Sequence, residues 1–418
     1  MKYNIHRKGT TILILGAIFS YIYFSCSEPV VDDNNHNVAG FLHADGKLIV
    51  DGNGNEIILR GMGFGGWMVQ EPYMMLVSGS ASAGQHTIFE DIENLIGSDN
   101  LETYHQTWLD NYCTEIDVAY LKQMGFNSLR VAMHYNLFTL PIEKEPVYGE
   151  DTWLDRGFTM IDELLSWCES NRIYLILDLH AAPGGQGHDA NISDYNPARP
   201  SLWEHPQNRR KTVALWARLA ERYASEPWIG GYDLINEPNW YLGDNNIMLK
   251  ELYDDIIAEI RLVDQNHLIF IEGNWFANDH SGLWPFEDDN VALSFHRYWC
   301  DNTVETILGY LQMRDSYNVP LWMGESGENN SQWYIDAVEL LEEYKIGWAW
   351  WTWKKMESGT GIYSIKSPEG YNTLRNFWQN GGTKPDSAFA FKVMMSVAEN
   401  ALLKNCILNG ETVLALIK

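Results

Sequence analysis

Two glutamates close hydrophobic runs in this sequence: Glu237 in Tyr232-Asp233-Leu234-Ile235-Asn236-Glu237-Pro238, and Glu325 in Pro320-Leu321-Trp322-Met323-Gly324-Glu325-Ser326. Each run reads as a buried parallel strand that carries its last side chain into the mouth of an active site. A lone carboxylate there is costly, because burial favours its neutral form. Two such groups facing each other are what cleavage of a glycosidic bond needs, one as acid/base and one as nucleophile or base.

Other polar residues stand at the ends of similar runs. Arg130 follows Ser128-Leu129, His180 closes Leu177-Asp178-Leu179-His180, Asn236 precedes Glu237, His296 and Tyr298 end another run, and Trp351 stands near the end of the last. Alone, each has a plainer reading: a strand-end histidine is often a hydrogen-bonded core residue, and Arg130 has a second role open to it as partner of a buried aspartate. Trp351 sits among Trp348, Trp350 and Trp353, and alternate strand residues face opposite sides, so another of the four is an alternative platform. Their joint occurrence in chain order carries the argument.

The elements that would gather these residues are repeated strands and helices. Short apolar runs at 57–64, 127–133, 173–180, 229–237, 268–273, 291–298, 319–325 and 347–353 alternate with helical patterns at 114–124, 159–170, 209–224, 247–262 and 331–344. This predicts an α/β fold, a closed (β/α)8 TIM barrel rather than a doubly wound sheet. Turn signals at Asp45-Gly46 and Asp51-Gly52-Asn53-Gly54 predict a β-hairpin before the first barrel strand. Long connections at 69–112, 181–208 and 354–372 fall after strands, where a barrel builds its active-site face. Residues 387–403 read as a closing helix, and 406–417, with Asn409-Gly410 inside, as a small terminal hairpin. Residues 40–418 form one expected domain.

Composition sets the bounds. The chain has 418 residues, a formal net charge of −27, 45% hydrophobic residues and 18 Trp. It can bury a large core, and its acidity argues against nucleic acid and anionic membranes as partners. Tryptophan offers flat apolar faces that suit sugar rings as well as cores. At the amino terminus, Lys2, Arg7 and Lys8 precede an apolar run over 11–24 that ends at Ser25-Cys26. This reads as a signal segment over 1–25 rather than a membrane span. It resembles a lipoprotein signal with Cys26 as the acylated residue, although Tyr23 stands where such signals usually carry Leu; an ordinary signal peptide or weak anchor is the alternative. Residues 26–39 read as a flexible tether. Cys113, Cys168, Cys300 and Cys406 have no zinc-ligand spacing and read as buried thiols, with pairing left open.

With these residues assembled, the chain resembles glycoside hydrolase family 5 within the retaining barrel glycosidases. Arg130, His180, Asn236-Glu237-Pro238, His296-Arg297-Tyr298, Gly324-Glu325 and Trp351 carry the resemblance. Gly65-Gly66-Trp67-Met68-Val69-Gln70-Glu71-Pro72-Tyr73 and Asp178-Leu179-His180-Ala181-Ala182-Pro183-Gly184-Gly185-Gln186 look like its exo-β-1,3-glucanase branch; the likeness fades over 187–206. The resemblance implies double displacement, with Glu325 as nucleophile and Glu237 as acid/base. It implies support from Arg130, Asn236 (on the sugar 2-hydroxyl), His296 and Tyr298, and sugar contacts from His180 and Trp351. Trp67, His134, Tyr135 and Trp275 are further expected subsite residues, each with a core or wall reading beside it.

The expected partner is a β-linked oligo- or polysaccharide, the expected action hydrolysis of β-glucosidic bonds, and the expected state an exported monomer touching the membrane only through Cys26. No cofactor or metal is expected, since no phosphate loop, dinucleotide fingerprint or metal spacing is present. β-Mannan, xylan or a glycolipid is the alternative substrate. The rival from another class is a non-catalytic surface glycan-binding lipoprotein.

Overall fold

The computed structural model describes residues 40–77 and 83–417; the expected signal segment, Cys26 and tether lie outside the described residues. A short antiparallel hairpin, β1 (His43–Asp45) and β2 (Leu48–Val50), comes first among the described elements. Its apolar residues Leu42 and Ile49 pack with Leu59, Ile176, Phe270 and Trp322, near the starts of the barrel strands. The hairpin therefore plugs the bottom of the barrel, and each side chain so buried stabilises the fold by roughly 1.5–3 kcal/mol.

Eight parallel strands follow: β3 (Arg60–Phe64), β4 (Ser128–His134), β5 (Tyr174–Ala181), β6 (Ile229–Asp233), β7 (Ile269–Glu272), β8 (Val291–Tyr298), β9 (Leu321–Gly327) and β10 (Gly347–Trp351). They pair in sequence order, and β10 closes on β3. Helices Glu115–Gln123, Asp155–Asn171, Pro206–Tyr223, Ile247–Val263, Val304–Tyr317 and Ser331–Glu343 lie between them in the chain. Alternation along the strands sorts the side chains. Leu175 and Leu177 join the outer core, Ile176 joins the plug layer, and Asp178 lies inside beside Arg130. The barrel is thus apolar at its base and ionisable in its upper half.

Two boundaries differ from the sequence expectation in ways that matter. β6 stops at Asp233, so Glu237 does not close a strand; it sits beyond the ladder at φ 44°. The C-terminal segment is not a hairpin. A two-residue strand, Ile407–Leu408, pairs with Tyr363–Ile365, and Gly410–Leu416 is helical. Thr412, Ala415 and Leu416 are buried there, a helical spacing that the Asn-Gly turn signal obscured. The closing helix runs Ser387–Asn400. Cys113 and Cys168 are buried, Cys300 and Cys406 partly so, and none is paired with another among the described residues.

Candidate active site

Arg130 on β4 is the centre of the upper barrel and is fully withdrawn from solvent. Its Nε donates to Asp233 Oδ2 (2.8 Å), and its Nη2 to Asn236 Oδ1 (2.9 Å) and Glu272 Oε1 (3.0 Å). Asp178 Oδ1 lies 3.2 Å from Nη2, and Nη1 donates to Glu325 Oε1. One guanidinium thus faces four carboxyl groups. Burial opposes its charge, but these neighbours hold its pKa well above the usual value. The carboxyls divide accordingly. Burial, with Glu272 nearby, pushes Asp233 well above the ordinary carboxylate range despite Arg130. Burial acts on Glu272 in the same sense, yet His296 and Arg130 outweigh it and hold its pKa at about 2.

Glu325 is delivered by a strand irregularity. The β8–β9 register shifts between Phe295 and His296, so that His296 lies opposite Glu325 rather than Gly324. A Cβ on Gly324 would come within 2.7 Å of Ser294 Oγ and 2.9 Å of His296 Nε2. Glycine therefore permits the bulge that aims Glu325 inward. Tyr298 Oη donates to Glu325 Oε2 at 3.0 Å. Glu237 meets His296, whose Nδ1 lies 2.7 Å from Oε1. Burial raises the Glu237 pKa, His296 opposes this, and the charges of Glu325 and Glu272 add to the rise. One oxygen each of Glu237 and Glu325 and a ring nitrogen of His296 all lie within 4.8 Å of one another.

His180 on β5 has Nδ1 2.8 Å from Asp178 Oδ2 and Nε2 3.2 Å from Glu71 Oε1. Burial works against its charge, but Asp178, Glu71 and Glu325 push its pKa up to about 10. Its ring lies parallel to Trp351, with centroids 5.1 Å apart. Trp351 fills the space left by Gly65, where a Cβ would fall 2.1 Å from the indole. Trp351 Nε1 donates to Tyr73 Oη at 2.7 Å. Trp348, Trp350 and Trp353 belong instead to the outer core, so Trp351 is the member of the four that reaches the pocket.

The pocket over these groups has a volume of about 640 Å³, within the range of small-molecule sites. Glu237, Glu325, His180, His296, Tyr298 and Trp351 line it together. Asn236 and Arg130 are buried and lie outside the lining; Asn236 is occupied by Arg130 and stands 3.4 Å from His180 Nε2. The expected direct contact of Asn236 with the sugar is therefore replaced, in this arrangement, by a place beneath the pocket surface.

Four expected subsite residues lie elsewhere. Trp67 is core: its indole is 3% exposed and donates to Leu109 O at 2.8 Å. His134 and Tyr135 border a separate cavity of about 470 Å³, where His134 Nε2 lies 2.9 Å from Asp194 Oδ2. Trp275 is exposed but does not line the pocket. Three consecutive left-handed residues, Trp275, Phe276 and Ala277, turn the loop so that Phe276 lines it instead. Sequence reasoning passed over Glu71, Tyr73, Phe276, Trp299 and Glu328, which also line the pocket. Glu71 and Tyr73 stood in a quoted motif, whereas Trp299, 73% exposed at the rim, had no sequence signal beyond following Tyr298.

Two triads, Asp178/His180/Glu325 and Glu237/His296/Glu325, are compact enough to suggest metal ligation. A ligating imidazole must present a lone pair to the metal. Each histidine here has both ring nitrogens on carboxyl groups, His180 on Asp178 and Glu71, His296 on Glu237 and Glu272. That is the environment of a charged imidazolium. The arrangement fits proton transfer and nucleophilic attack on a bound neutral ligand better than metal binding.

Comparison with known proteins agrees with this chemistry. The family model for cellulase (glycosyl hydrolase family 5) matches residues 84–357. A β-xylosidase of Phanerodontia chrysosporium is 28% identical over 370 residues, covering 80% of this chain and 75% of that protein. Endoglucanase C of Acetivibrio thermocellus is 23% identical, covering 61% of this chain and 88% of that one. The catalytic domain of Thermobifida fusca endoglucanase Cel5A shares the fold, with a TM-score of 0.50 at 18% identity, covering 85% of this chain and 97% of that one. The chain is a glycosidase and belongs to glycosyl hydrolase family 5.

Proposed function

We propose that the protein hydrolyses β-glucosidic bonds in a β-glucan or derived oligosaccharide with retention of configuration. The carrying observation is the approach of Glu237 and Glu325, with oxygens inside 4.8 Å. Retaining enzymes hold their carboxyl groups about 5–5.5 Å apart, whereas inverting ones leave about 6.5–9.5 Å for a water. Glu325 is the nucleophile, faced by Arg130 and Tyr298. Glu237, whose pKa burial raises, protonates the leaving oxygen and then deprotonates water. Trp351 gives the reacting sugar a stacking floor, His180 and Tyr73 offer hydrogen bonds beside it, and Phe276 and Trp299 flank the mouth.

A xylose-based substrate is the second reading, favoured by the β-xylosidase relative. The test is a panel of laminarin, mixed-linkage β-glucan, cellulose, mannan, xylan and aryl β-glucoside, with Glu325→Gln beside it. Hydrolysis of a β-glucan that vanishes in the variant supports the reading. Hydrolysis of xylan alone moves it to the second, and glycan binding without any turnover favours the non-catalytic rival.

We also propose export with acylation at Cys26, supported by the sequence Ser25-Cys26 after an apolar run. Radiolabelled palmitate should enter the full chain and not Cys26→Ala; equal labelling, or none, contradicts acylation.

A further inference from the structure

Glu237 occupies an awkward place. The β6 ladder ends at Asp233, and Glu237 is a non-glycine residue at φ 44°, a left-handed conformation that persists only where the surroundings impose it. Its neighbour Asn236 still gives its N–H to Leu179 O at 3.2 Å. The N–H of Glu237 goes instead to a side chain, Glu272 Oε2, at 2.7 Å.

Glu272 is the last residue of β7 and is completely buried. Its other oxygen, Oε1, accepts from Arg130 Nη2 at 3.0 Å and lies 3.2 Å from His296 Nε2. The opposite nitrogen of that imidazole, Nδ1, is 2.7 Å from Glu237 Oε1. The contacts form a closed ring: Glu237 backbone, Glu272, His296, Glu237 carboxyl. Through Arg130 the same carboxylate is tied to the cation that faces Glu325.

We infer that Glu272 is a positioning residue for the acid/base glutamate, fixing the peptide of Glu237 directly and its carboxyl group through His296. The inference rests on Glu237 being the acid/base catalyst. Glu272 is absent from the pocket lining and cannot reach a sugar, so its effect passes through Glu237. Glutamine at this position could still accept the Glu237 N–H. It would lose the negative charge facing Arg130 and His296 and, with its oxygen on that N–H, turn its NH2 group toward both cations. Aspartate would keep the charge but fall short of the N–H.

The test exploits what acid catalysis is for. In the first step, Glu325 forms a bond to the anomeric carbon, the glycosidic C–O bond breaks, and the proton of Glu237 goes to the departing oxygen. A sugar leaving group needs that proton; a dinitrophenolate leaves as a stable anion without it. Because positioned acid–base groups contribute about 10²–10⁴-fold, Glu272→Gln should lose roughly 10–100-fold more kcat/KM on a β-gluco-oligosaccharide than on the dinitrophenyl β-glucoside. Asp233→Asn, which alters another partner of Arg130 but none of Glu237, should affect both substrates alike. An equal loss on both substrates in Glu272→Gln, or no loss, overturns the inference. Glu272→Asp keeps the charge and decides the question by the same ratio where the glutamine variant does not fold. Glu237→Gln must show the asymmetry most strongly. If it shows none, the acid/base assignment itself falls, which separates that failure from one confined to Glu272.

Discussion

Tyr298 donates a hydrogen bond to Glu325 Oε2 at 3.0 Å while Arg130 faces Glu325 Oε1, so both oxygens of one carboxyl group are held, one by a residue of β8 and the other by a residue of β4 across the barrel. A group fixed at both oxygens cannot rotate away from a substrate above it. Hydrogen bonds to charged groups are worth about 1.5–3 kcal/mol. Tyr298→Phe should therefore lower kcat by roughly 10–100-fold with a near-native Tm. Unchanged steady-state kinetics would mean that Tyr298 does not orient Glu325.

Glu325→Gln removes the oxygen proposed to attack the sugar but little volume. Turnover should fall on the order of 10⁴-fold or more, the scale seen when a covalent nucleophile is lost. Binding of oligosaccharide, measured by calorimetry, should survive. Near-native rates on an activated aryl glycoside would refute the assignment.

As the proposed acid/base, Glu237 must be protonated when a glycoside binds, so activity is expected below its pKa and lost as pH rises through it. Burial raises that pKa from the ordinary 4.5. The alkaline limb of kcat/KM on an oligosaccharide should accordingly lie above pH 4.5 and disappear in Glu237→Gln assayed with an activated leaving group. A limb that persists unchanged in that variant belongs to another residue.

Asp233 is raised well above its ordinary value by burial, and its Oδ1 has no hydrogen-bond partner among the described residues. The folded chain thus keeps a proton that the unfolded chain releases near pH 4. Stability from that proton is complete below about pH 4 and declines as pH rises. Asparagine needs no proton, so the Tm of Asp233→Asn should gain on the parent between pH 4 and pH 8. A difference that stays flat with pH would contradict the shift.

Lys354 is fully buried, with Nζ 2.5 Å from Asp117 Oδ1 and 3.0 Å from Ala401 O. Trp353 Nε1 donates to the same Asp117 oxygen at 2.8 Å. Lys354→Met would leave Asp117 buried without its cation, a change that costs about 3–5 kcal/mol. Urea denaturation should show this loss; a stability within about 1 kcal/mol of the parent would mean that Asp117 finds another partner.

The barrel was legible because its strands are continuous apolar runs, and Glu237 and Glu325 because charge interrupts such runs. Glu272 bears the same mark, closing Ile269-Phe270-Ile271 inside the run at 268–273, but it is not among the candidate residues read from the sequence. Its importance lies in contacts with β4, β8 and the residues beyond β6, none of them near in sequence. Trp67 and Trp275 were misplaced because residue type does not tell an indole in the core from one in a wall. That depends on backbone direction, as the left-handed run from Trp275 to Ala277 shows. Of the four clustered tryptophans, Trp351 reaches the pocket through register, and the β9–β10 pairing shifts between Trp348 and Trp350, which alternation alone does not anticipate.

The central claim is double displacement between Glu237 and Glu325, and the stereochemistry of the first product tests it most directly. Proton NMR of a β-glycoside during early hydrolysis should show the β-anomer of the released sugar first, with the α-anomer appearing later by mutarotation. The α-anomer appearing first would mean inversion and would contradict the mechanism.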